Sequence, residues 1–411
     1  MKLWNTKFEC CGCEACANIC PQNCIEMKYD EEGFLYPQVN NEQCISCGIC
    51  KKICPIKNPG KRYSSEKAYI MRTRDVKLLE KSSSGGVFSG IAEYIFLKKG
   101  IVIGTVFTDD FDVVHTIAVS AEEIERMRGS KYVQSKIGNI FKNIEAMLKA
   151  GKEVCFVGTP CQVMGLKNFL KKEYKGLYTV DFVCHGVASP LIWNKYIQML
   201  EGKFQSALKK YSFRSKHKGH HNFGTYAEFE NGQIYLRDDS STDKDFMHMA
   251  YFNEICSRPS CHSCEFKTLE RASDITIFDC WHVAELAGIY DDDKGWSTVI
   301  PHTDKGEKIL KYLFQNFAHK AIDLKMAIEL DGGNAIYSMI PNKRREEFFK
   351  DVNLGMSCEE LSKKYFKEKG KLKIKLRSIA VKIMKHLGIF SCIRRAYYSH
   401  HKSQYIKSSE K

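Results

Sequence analysis

Apolar and polar positions follow two periods along the middle of the chain, and each change of period marks the boundary of a predicted element. Short or alternating apolar runs predict strands at 68–72, 101–107, 113–119, 154–157, 177–183, 211–213, 226–230 and 233–236. Apolar residues at helical spacing predict helices at 87–97, 139–148, 162–172 and 190–200. Strands that alternate with helices favour a mixed α/β core. No G-x-G-x-x-G follows the first strand, so a simple Rossmann unit is not indicated.

A hairpin and a linker precede this core. Residues 25–29 and 34–39 flank Asp30-Glu31-Glu32-Gly33, which predicts two strands joined by a glycine-containing turn. The composition of residues 58–65 is typical of a linker between domains.

The C-terminal segment, from about residue 348, is predicted to be helical and basic. Its apolar residues recur at helical spacing at Leu372, Leu376, Ile379, Ile383 and Leu387. Such an amphipathic helix could lie on an anionic membrane face or dock on its own domain. Of the net charge of +14, most is in this segment, since residues 361–411 contain fifteen Lys and Arg and two acidic residues. Because the rest is nearly neutral, we expect a surface partner for the tail and no nucleic-acid function.

Composition places the protein in the cytoplasm. The hydrophobic content of 44% is ordinary for a globular protein. Residues 1–9 are short and polar and lead directly into a cysteine motif, so no signal peptide is expected. The chain contains no run of eighteen apolar residues that could span a membrane. Nineteen cysteines without a secretory signal indicate a reducing compartment.

Eight cysteines near the N-terminus form two copies of C-x2-C-x2-C-x3-C-P. The first copy contains Cys10, Cys13, Cys16 and Cys20, and the second contains Cys44, Cys47, Cys50 and Cys54. This spacing is typical of two 4Fe–4S clusters, in which the fourth cysteine of each copy binds the other cluster. We therefore expect one cluster on Cys10, Cys13, Cys16 and Cys54. The other is expected on Cys44, Cys47, Cys50 and Cys20.

Two other uses of these cysteines fit the pattern less well. A zinc site is built from two CxxC pairs with four ligands per ion, and a disulfide framework requires an oxidising compartment. Cys11 and Cys24 fall outside the repeat and are expected to lie near the clusters without binding them.

Two polar segments of the second domain could hold a nucleotide. Ser82 to Gly90 places small residues at the start of a helix, where free N–H groups could bind a pyrophosphate or merely form a cap. Arg128 to Ser135 combines two cations, hydroxyls and an aromatic ring, which suits a nucleotide but is also typical of an ordinary polar loop.

A second set of cysteines follows. Cys161 begins a predicted helix, where a thiol is easily ionised, so it could be a metal ligand or a reactive thiol. Cys184 ends a predicted strand, and Cys261 and Cys264 form a CxxC pair that could serve zinc or iron–sulfur. Cys161 or Cys184 could instead be catalytic or simply buried.

These segments in order resemble the coenzyme F420 hydrogenase/dehydrogenase beta subunit family. The resemblance spans about residues 1–310 and rests on the two-cluster motif and on GGVFSGIAEY, RGSKYVQS, GTPCQ, CHGV, the late CxxC, SDITI and GWSTVI. It implies FAD in the second domain and a further 4Fe–4S cluster near the flavin. The implied cluster ligands are Cys161, Cys184, Cys261 and Cys264, with Cys256 as the spare candidate. The residues implied for FAD are Ser84, Gly85, Gly86, Ser130, Lys131, Tyr132 and Gln134.

The expected fold class is therefore α+β. A ferredoxin-like two-cluster domain at 1–57 precedes a mixed α/β flavin-binding domain at 66–345 and a helical basic tail at 346–411. The chain departs from its relatives at Phe278-Asp279-Cys280-Trp281 and at His220 and His221, so substrate identity is not carried over. His217, His220 and His221 could suggest a metal, but a substrate-side or solvated loop is favoured because sequence places no fourth ligand.

The expected function is a cytoplasmic FAD-dependent iron–sulfur oxidoreductase, peripheral to the inner membrane face if the tail binds there. A low-potential donor such as ferredoxin would deliver electrons through the clusters to FAD, which exchanges a hydride with a small-molecule or lipid-linked substrate. A role in polysaccharide biosynthesis is implied by family analogy alone. Two alternatives are an electron-transfer subunit without its own substrate site and a non-redox scaffold with structural clusters.

Overall fold

The structure is a computed structural model that describes residues 3–238, 241 and 244–366. The amphipathic helix expected around 372–387, and with it the expected membrane contact, lies outside these residues.

The N-terminal unit consists of two short helices and a hairpin. Its elements are α1 (Ala15–Ile19), β1 (Ile25–Tyr29), β2 (Leu35–Val39) and α2 (Ile49–Lys52). β1 pairs antiparallel with β2, and Ile25 lies opposite Val39, which confirms the predicted hairpin. The Asp30 carboxylate accepts the N–H groups of Glu32 and Phe34, and Gly33 has a φ of 78°, so the turn uses the residues that the sequence singled out.

The second domain is built on an eight-stranded mixed sheet. Its strands are β3 (Ala68–Thr73), β4 (Ile101–Phe107), β5 (Val113–Ala118), β6 (Val154–Gly158), β7 (Leu177–Phe182), β11 (Ile275–Cys280), β12 (Trp296–Pro301) and β13 (Phe317–Ile322). The strand order is β13-β3-β12-β11-β7-β6-β4-β5. The four strands β4, β6, β7 and β11 are mutually parallel, and the outer pairs are antiparallel. Central strands β6 and β7 are buried along most of their length, as parallel strands covered on both faces must be.

A three-stranded antiparallel sheet is inserted between β7 and β11. It contains β8 (Leu208–Ser215), β9 (Gly224–Phe229) and β10 (Ile234–Asp238), in the order β10-β9-β8. These strands confirm the three short ones predicted in this region.

Helices connect the strands and cover the sheets. Those of the second domain are α3 (Val76–Glu80), α4 (Val87–Leu97), α5 (Ala121–Met127), α6 (Ile140–Lys149), α7 (Pro160–Leu170), α8 (Pro190–Phe204), α9 (Phe246–Phe252), α10 (Val283–Ala287), α11 (Asp304–Asn316), α12 (Leu324–Leu330), α13 (Arg345–Asn353) and α14 (Cys358–Tyr365). Their starts follow local chemistry. Thr159 and Gln162 form a capping box before Pro160 of α7, and Ser189 caps α8 ahead of Pro190. None of the helices among the described residues is long and apolar enough to cross a membrane.

One apolar core joins the N-terminal unit to the C-terminal helices. Phe34 of the hairpin packs in the same cluster as Trp193 of α8, Phe213 of β8 and Phe348 of α13. Residues 346–366, the start of the expected helical basic tail, pack against the second domain. A second cluster lies between α1, α6 and α7, and a third lies under α4 and α11 on the opposite face of the sheet.

A buried ion pair fixes this arrangement. Arg345 donates to both carboxylate oxygens of Glu32 at 2.8 and 2.7 Å and also to the carbonyl of Ser257. Both side chains of the pair are almost fully buried. Since Glu32 lies in the hairpin turn and Arg345 begins α13, the pair ties the two ends of the described chain together.

We expect Arg345→Ala to lower the free energy of unfolding by about 3–5 kcal/mol, because it leaves the buried Glu32 carboxylate with only Lys7, 3.9 Å away, as a charged partner. Urea unfolding followed by circular dichroism measures this loss. The matched control is Arg344→Ala, which removes an exposed pair with Glu347 and should change little. Equal effects of the two substitutions would contradict the role given to the buried pair.

Candidate functional site

The two N-terminal cysteine copies share an unusual backbone. Gly12 and Glu14 in the first copy have φ angles of 69° and 60°, and Ser46 and Gly48 in the second have 54° and 71°. These pairs occupy equivalent positions of the repeat, 34 residues apart. Left-handed backbone turns the chain sharply, so each loop curls with its cysteines facing inward. The repeat in sequence is thus also a repeat in conformation.

Each curled loop surrounds a small cavity. The first cavity is lined by Cys10, Cys13, Cys16 and Cys54, together with Cys11 and Cys50. The second is lined by Cys20, Cys44, Cys47 and Cys50, together with Cys24. Each expected ligand set therefore shares one cavity, and its fourth member comes from the other copy. Cys11 and Cys24, expected to bind no cluster, also reach the cavity walls.

These cysteines suit a cluster better than a single ion. Among the residues that the structure describes, no three His, Cys, Asp or Glu side chains converge closely enough to hold one metal ion. A 4Fe–4S cluster binds its four thiolates through separate irons, so its ligands surround a space instead of meeting at a point. The donor sets and the cavities fit that group, and the individual ligands stay predictions.

A third group of cysteines lies behind the first. Cys161 occupies the first turn of α7, Cys184 follows β7, and Cys261 and Cys264 lie on and just after a short 3-10 turn. Burial, together with the charges of Cys161 and Cys264, raises the pKa of Cys184 to about 12. The pKa of Cys264 is raised by burial and by Cys161, which shows that these thiols are neighbours. The structure thus brings together all four cysteines of the expected third set.

Cys256 and Cys161 both differ from what the sequence predicted, Cys256 in its position and Cys161 in its pKa. Cys256 is fully buried in the apolar core that contains Trp193, so the spare candidate lies apart from the third group. Cys161 was expected to ionise easily at its helix N-terminus. A hydrogen bond with Cys11, together with burial, instead raises the pKa of Cys161 well above its usual value. Cys11 also contacts Cys13, so it lies between the first and third groups.

A lysine faces the third group. Burial lowers the pKa of Lys267, while the nearby Cys184, Cys264 and Cys261 act in the opposite direction. Its ammonium donates to the carbonyls of Cys184 and Asn334, and the second of these bonds is 2.7 Å long. The side chain therefore holds the loop of Cys184 and places a cation beside the thiols.

A cavity of about 420 Å³ opens at the carboxyl ends of the parallel strands. Its walls come from the N-terminus of α4, the segment after α5, the ends of β6, β7 and β11, and α9. Ligands commonly bind at this edge of parallel sheets. Cys184 and Gly186 belong to the wall, so the cavity adjoins the third cysteine group.

Five of the seven residues expected to bind FAD line this cavity: Ser84, Gly86, Ser130, Lys131 and Tyr132. Gly85 lies just outside the wall. A Cβ there would be 2.3 Å from the carbonyl oxygen of Met71, so glycine allows the loop to approach β3. The Gln134 side chain faces the N-terminal unit, where its Oε1 accepts from Leu35 N and Arg258 Nη1.

One end of the cavity is polar and cationic. The half-buried Lys131 ammonium donates to the carbonyls of Met127, Arg128 and Gly129 at 3.2–3.3 Å. Burial nevertheless lowers the pKa of Lys131 to about 7. Gly86 caps α4 with a φ of 82°, which leaves the helix N-terminus open toward the cavity. This end suits an anionic group.

The other end is aromatic and contains a partly buried ion pair. Arg214 of β8 donates to Asp279 of β11 at 2.7 Å and lies 4.1 Å from the ring centroid of Phe223 and 4.9 Å from that of Trp281. Although burial opposes it, Arg214 and His220 hold the pKa of Asp279 below its usual value. His220 is buried and stacks on Trp281 at 4.2 Å, whereas His221 is exposed and pairs with Asp291.

Sequence reasoning missed this end, although Asp279, Trp281 and His220 lie in the two departures from the family pattern. It also missed His185, which lines the cavity beside Cys184. His185 Nε2 forms a short contact with the Glu254 carboxylate, and Nδ1 lies 3.2 Å from the Asn334 amide. This network places the imidazole proton on Nε2. Tyr251 stacks on Tyr132 at 4.6 Å and completes the wall.

Domain models and known proteins are similar to parts of this chain. The family model of the 4Fe–4S dicluster domain matches residues 9–58 of the sequence, which confirms the expected ferredoxin-type domain. The coenzyme F420 hydrogenase subunit beta of Methanococcus voltae is 22% identical over 252 residues, covering 60% of this chain and 81% of that protein. The F420-reducing [NiFe] hydrogenase complex of Methanosarcina barkeri contains a chain that is 19% identical, with a TM-score of 0.42, covering 72% of this chain and 94% of that one.

The models of the N- and C-terminal parts of one family match residues 68–142 and 151–325, together more than half of the chain. Both parts occur in the family's own order, and together they contain all four cysteines of the third group and the whole cavity wall except Asn334. The resemblance inferred from the motifs is thereby confirmed. The chain belongs to the coenzyme F420 hydrogenase/dehydrogenase beta subunit family of oxidoreductases and has a 4Fe–4S dicluster domain at its N-terminus.

Proposed function

We propose that this protein is an iron–sulfur flavoprotein that carries electrons between a low-potential one-electron donor and an organic substrate. The observation that carries the proposal is that Cys184 belongs both to the third cysteine group and to the cavity wall. An electron carrier bound by the third cysteine group would lie next to a molecule in the cavity, so electrons could pass directly between the two.

The exposure of the cysteine groups supports a direction of electron transfer, from the outer N-terminal set inward. Cys47 of the second N-terminal set is exposed, and its neighbour Ile45 has 60% of its surface in solvent. In the first set, Cys13 is buried, and the third group lies behind it. Exposed Lys51 and Lys52 flank the outer set and suit an acidic donor protein such as a ferredoxin. We infer that donors bind at Cys47 and Ile45.

The cavity wall fits FAD. Gly86 at the start of α4 and the Lys131 ammonium suit its diphosphate, and the stacked rings of Tyr132 and Tyr251 suit a planar group. When bound, a flavin supplies the conversion between single electrons and a hydride, which iron–sulfur clusters alone do not perform. The protein's part is to hold these groups in order and to exclude water.

The remaining wall residues would serve the substrate. The Arg214–Asp279 pair fixes the rings of Phe223 and Trp281 and presents a cation between them. The His185–Glu254 pair holds one proton at Nε2 next to the third cysteine group. These groups can orient a flat or anionic organic molecule, and they make an enzyme with its own substrate our first choice.

A second candidate is an electron-transfer subunit that passes electrons to a partner protein. The relative from Methanococcus voltae supports it, since that protein is named as a subunit. A cytoplasmic site at the inner membrane face, a lipid-linked substrate and a role in polysaccharide biosynthesis are proposals that rest on sequence alone, because most of the basic segment 361–411 lies outside the described residues.

The ligand assignment predicts about twelve irons in the protein purified without air and about eight in Cys161→Ser, since each cluster contains four irons. Colorimetric iron and sulfide analysis measures both. Cys256→Ser is the matched control, because this buried cysteine lies apart from the third group and should keep the full iron content. If the control lost iron and Cys161→Ser did not, the ligand set would be wrong.

Lys131→Met is expected to weaken FAD binding about tenfold, measured by fluorescence titration, because an anionic diphosphate loses its cation. In the unmodified protein, burial lowers the pKa of Lys131 to about 7, and a bound diphosphate would favour the charged form. FAD affinity should therefore be highest well below pH 7, fall as the pH rises through 7, and level off about tenfold lower, where the side chain is neutral. Lys131→Met should abolish this slope.

The control for that titration is Lys136→Met. Lys136 lies five residues further along, outside the cavity wall, and pairs with Asp112 at 2.6 Å. The Lys136→Met variant should bind FAD as tightly as the unmodified protein and show the same dependence on pH. Identical behaviour of the two lysine variants would remove Lys131 from the FAD site.

The proposed route is tested by rapid mixing with a reduced ferredoxin, which is too large to enter the cavity. Reduction of bound flavin should slow by at least about tenfold in Cys47→Ala, because the outer cluster loses a ligand. Lys28→Ala, an exposed change on the hairpin, is the control and should keep the original rate. Flavin reduction at full rate in Cys47→Ala would show that electrons bypass the outer set.

A further inference from the structure

Arg258 is a fully buried arginine without a carboxylate partner in the described part of the chain. Its exposed surface is 0%, and none of the ion pairs there includes it. The guanidinium donates to the Cys10 carbonyl from Nε at 2.9 Å and to Gln134 Oε1 from Nη1 at 3.2 Å. Nη2 is buried and has no hydrogen-bond partner in the described structure.

The position of this cation is between two cysteine groups. Its side chain contacts the backbone of the first set at Cys10, and a Cβ on Gly12 would lie only 3.1 Å from its Cζ atom. Its own carbonyl accepts the N–H of Cys261, a member of the third group, at 2.9 Å. The guanidinium also lies over the ring of Tyr36, with its Cζ 4.1 Å from the centroid. The guanidinium of Arg258 thus contacts the first group, and the backbone of the same residue contacts the third group.

Burying a cation without a counterion costs folding free energy. For the same reason, removing one partner of a buried ion pair strongly destabilises a protein. Arg345 shows the usual solution, since it is neutralised by both oxygens of Glu32. Within the described residues, no carboxylate is hydrogen-bonded to Arg258. The charge of Arg258 does act on the buried Glu14 carboxylate, but the Glu14 oxygens accept the N–H groups of Ile137 and Gly138 instead. The side chains around the guanidinium are Tyr36, Phe34 and Gln134. Four thiolates would make a bound cluster anionic, and the cluster gains a further negative charge on reduction.

We propose that Arg258 is the shared counterion of the first and third clusters and that its charge raises their reduction potentials, a role that rests on the proposed function. Arg258 acts on the clusters only through its charge. One electron enters a cluster, no bond forms or breaks, and the fixed cation stabilises the reduced form more than the oxidised form. Because the charge of Arg258 acts on both inner clusters, it favours reduction of these clusters, which lie nearest the cavity, over reduction of the outer cluster.

The test is a redox titration of the full chain, purified without air and followed by electron paramagnetic resonance. In Arg258→Gln, the reduced-to-oxidised ratio of the inner clusters at the original midpoint should fall by about tenfold, a shift of about 59 mV for a one-electron couple. Arg258→Lys keeps the charge and should keep most of the original ratio. Lys149→Gln makes the same charge change at an exposed site on α6 and should leave all midpoints in place.

Gln134→Glu provides a second variant that alters the charge without removing the arginine. It is isosteric and places a carboxylate at the oxygen that already accepts from Arg258, so it should lower the inner midpoints in the same direction. It carries the test if Arg258→Gln does not assemble its clusters. Unchanged midpoints in Gln134→Glu and in any assembled Arg258→Gln would overturn the proposal and leave the proposed function standing. Loss of all iron–sulfur signals from the unmodified protein would overturn both.

Discussion

A buried polar interface between the cysteine-rich unit and the α/β domain is the constraint on which this structure depends. The Glu14 carboxylate accepts the N–H groups of Ile137 and Gly138, Gln134 accepts from Leu35, and Arg258 donates to Cys10. Each of these groups is buried and would be costly without its partner. Hydrogen bonds have narrow geometry, so they set the position of the first cysteine set against α7 more closely than apolar contact alone could.

That fixed position gives the cysteine groups their order. The outer set contains the exposed Cys47, the first set contains Cys13, which is buried against Gly165 of α7, and the third group borders a cavity at the carboxyl ends of the parallel strands. Cys11 contacts both Cys13 and Cys161, so the first and third groups are adjacent in space although far apart in sequence. The dicluster domain and the family domain therefore pack as one structural unit, and under the proposed function electrons would pass between them within one chain.

Local features of the sequence predicted most of the fold, and contacts between distant segments account for what was missed. The hairpin, α4 and β4 follow from short-range periodicity and turn residues, as do the curled loops of the cysteine repeat. Gln134 was assigned to FAD from its motif, but it faces Arg258, which is 124 residues away. The Arg214–Asp279 pair joins strands 65 residues apart, and nothing in the sequence near either residue predicts that contact. The pKa of Cys161 is raised because Cys11 comes from another domain, which overrides the effect of the helix N-terminus.

The central claim is that three cysteine groups hold three iron–sulfur clusters in a line that leads to the cavity. Anomalous diffraction at the iron absorption edge, from crystals grown without air, tests this claim most directly. The account predicts three separate iron peaks, each inside one cysteine group, with the innermost beside Cys184. A single peak, zinc in place of iron, or an empty third group would contradict it.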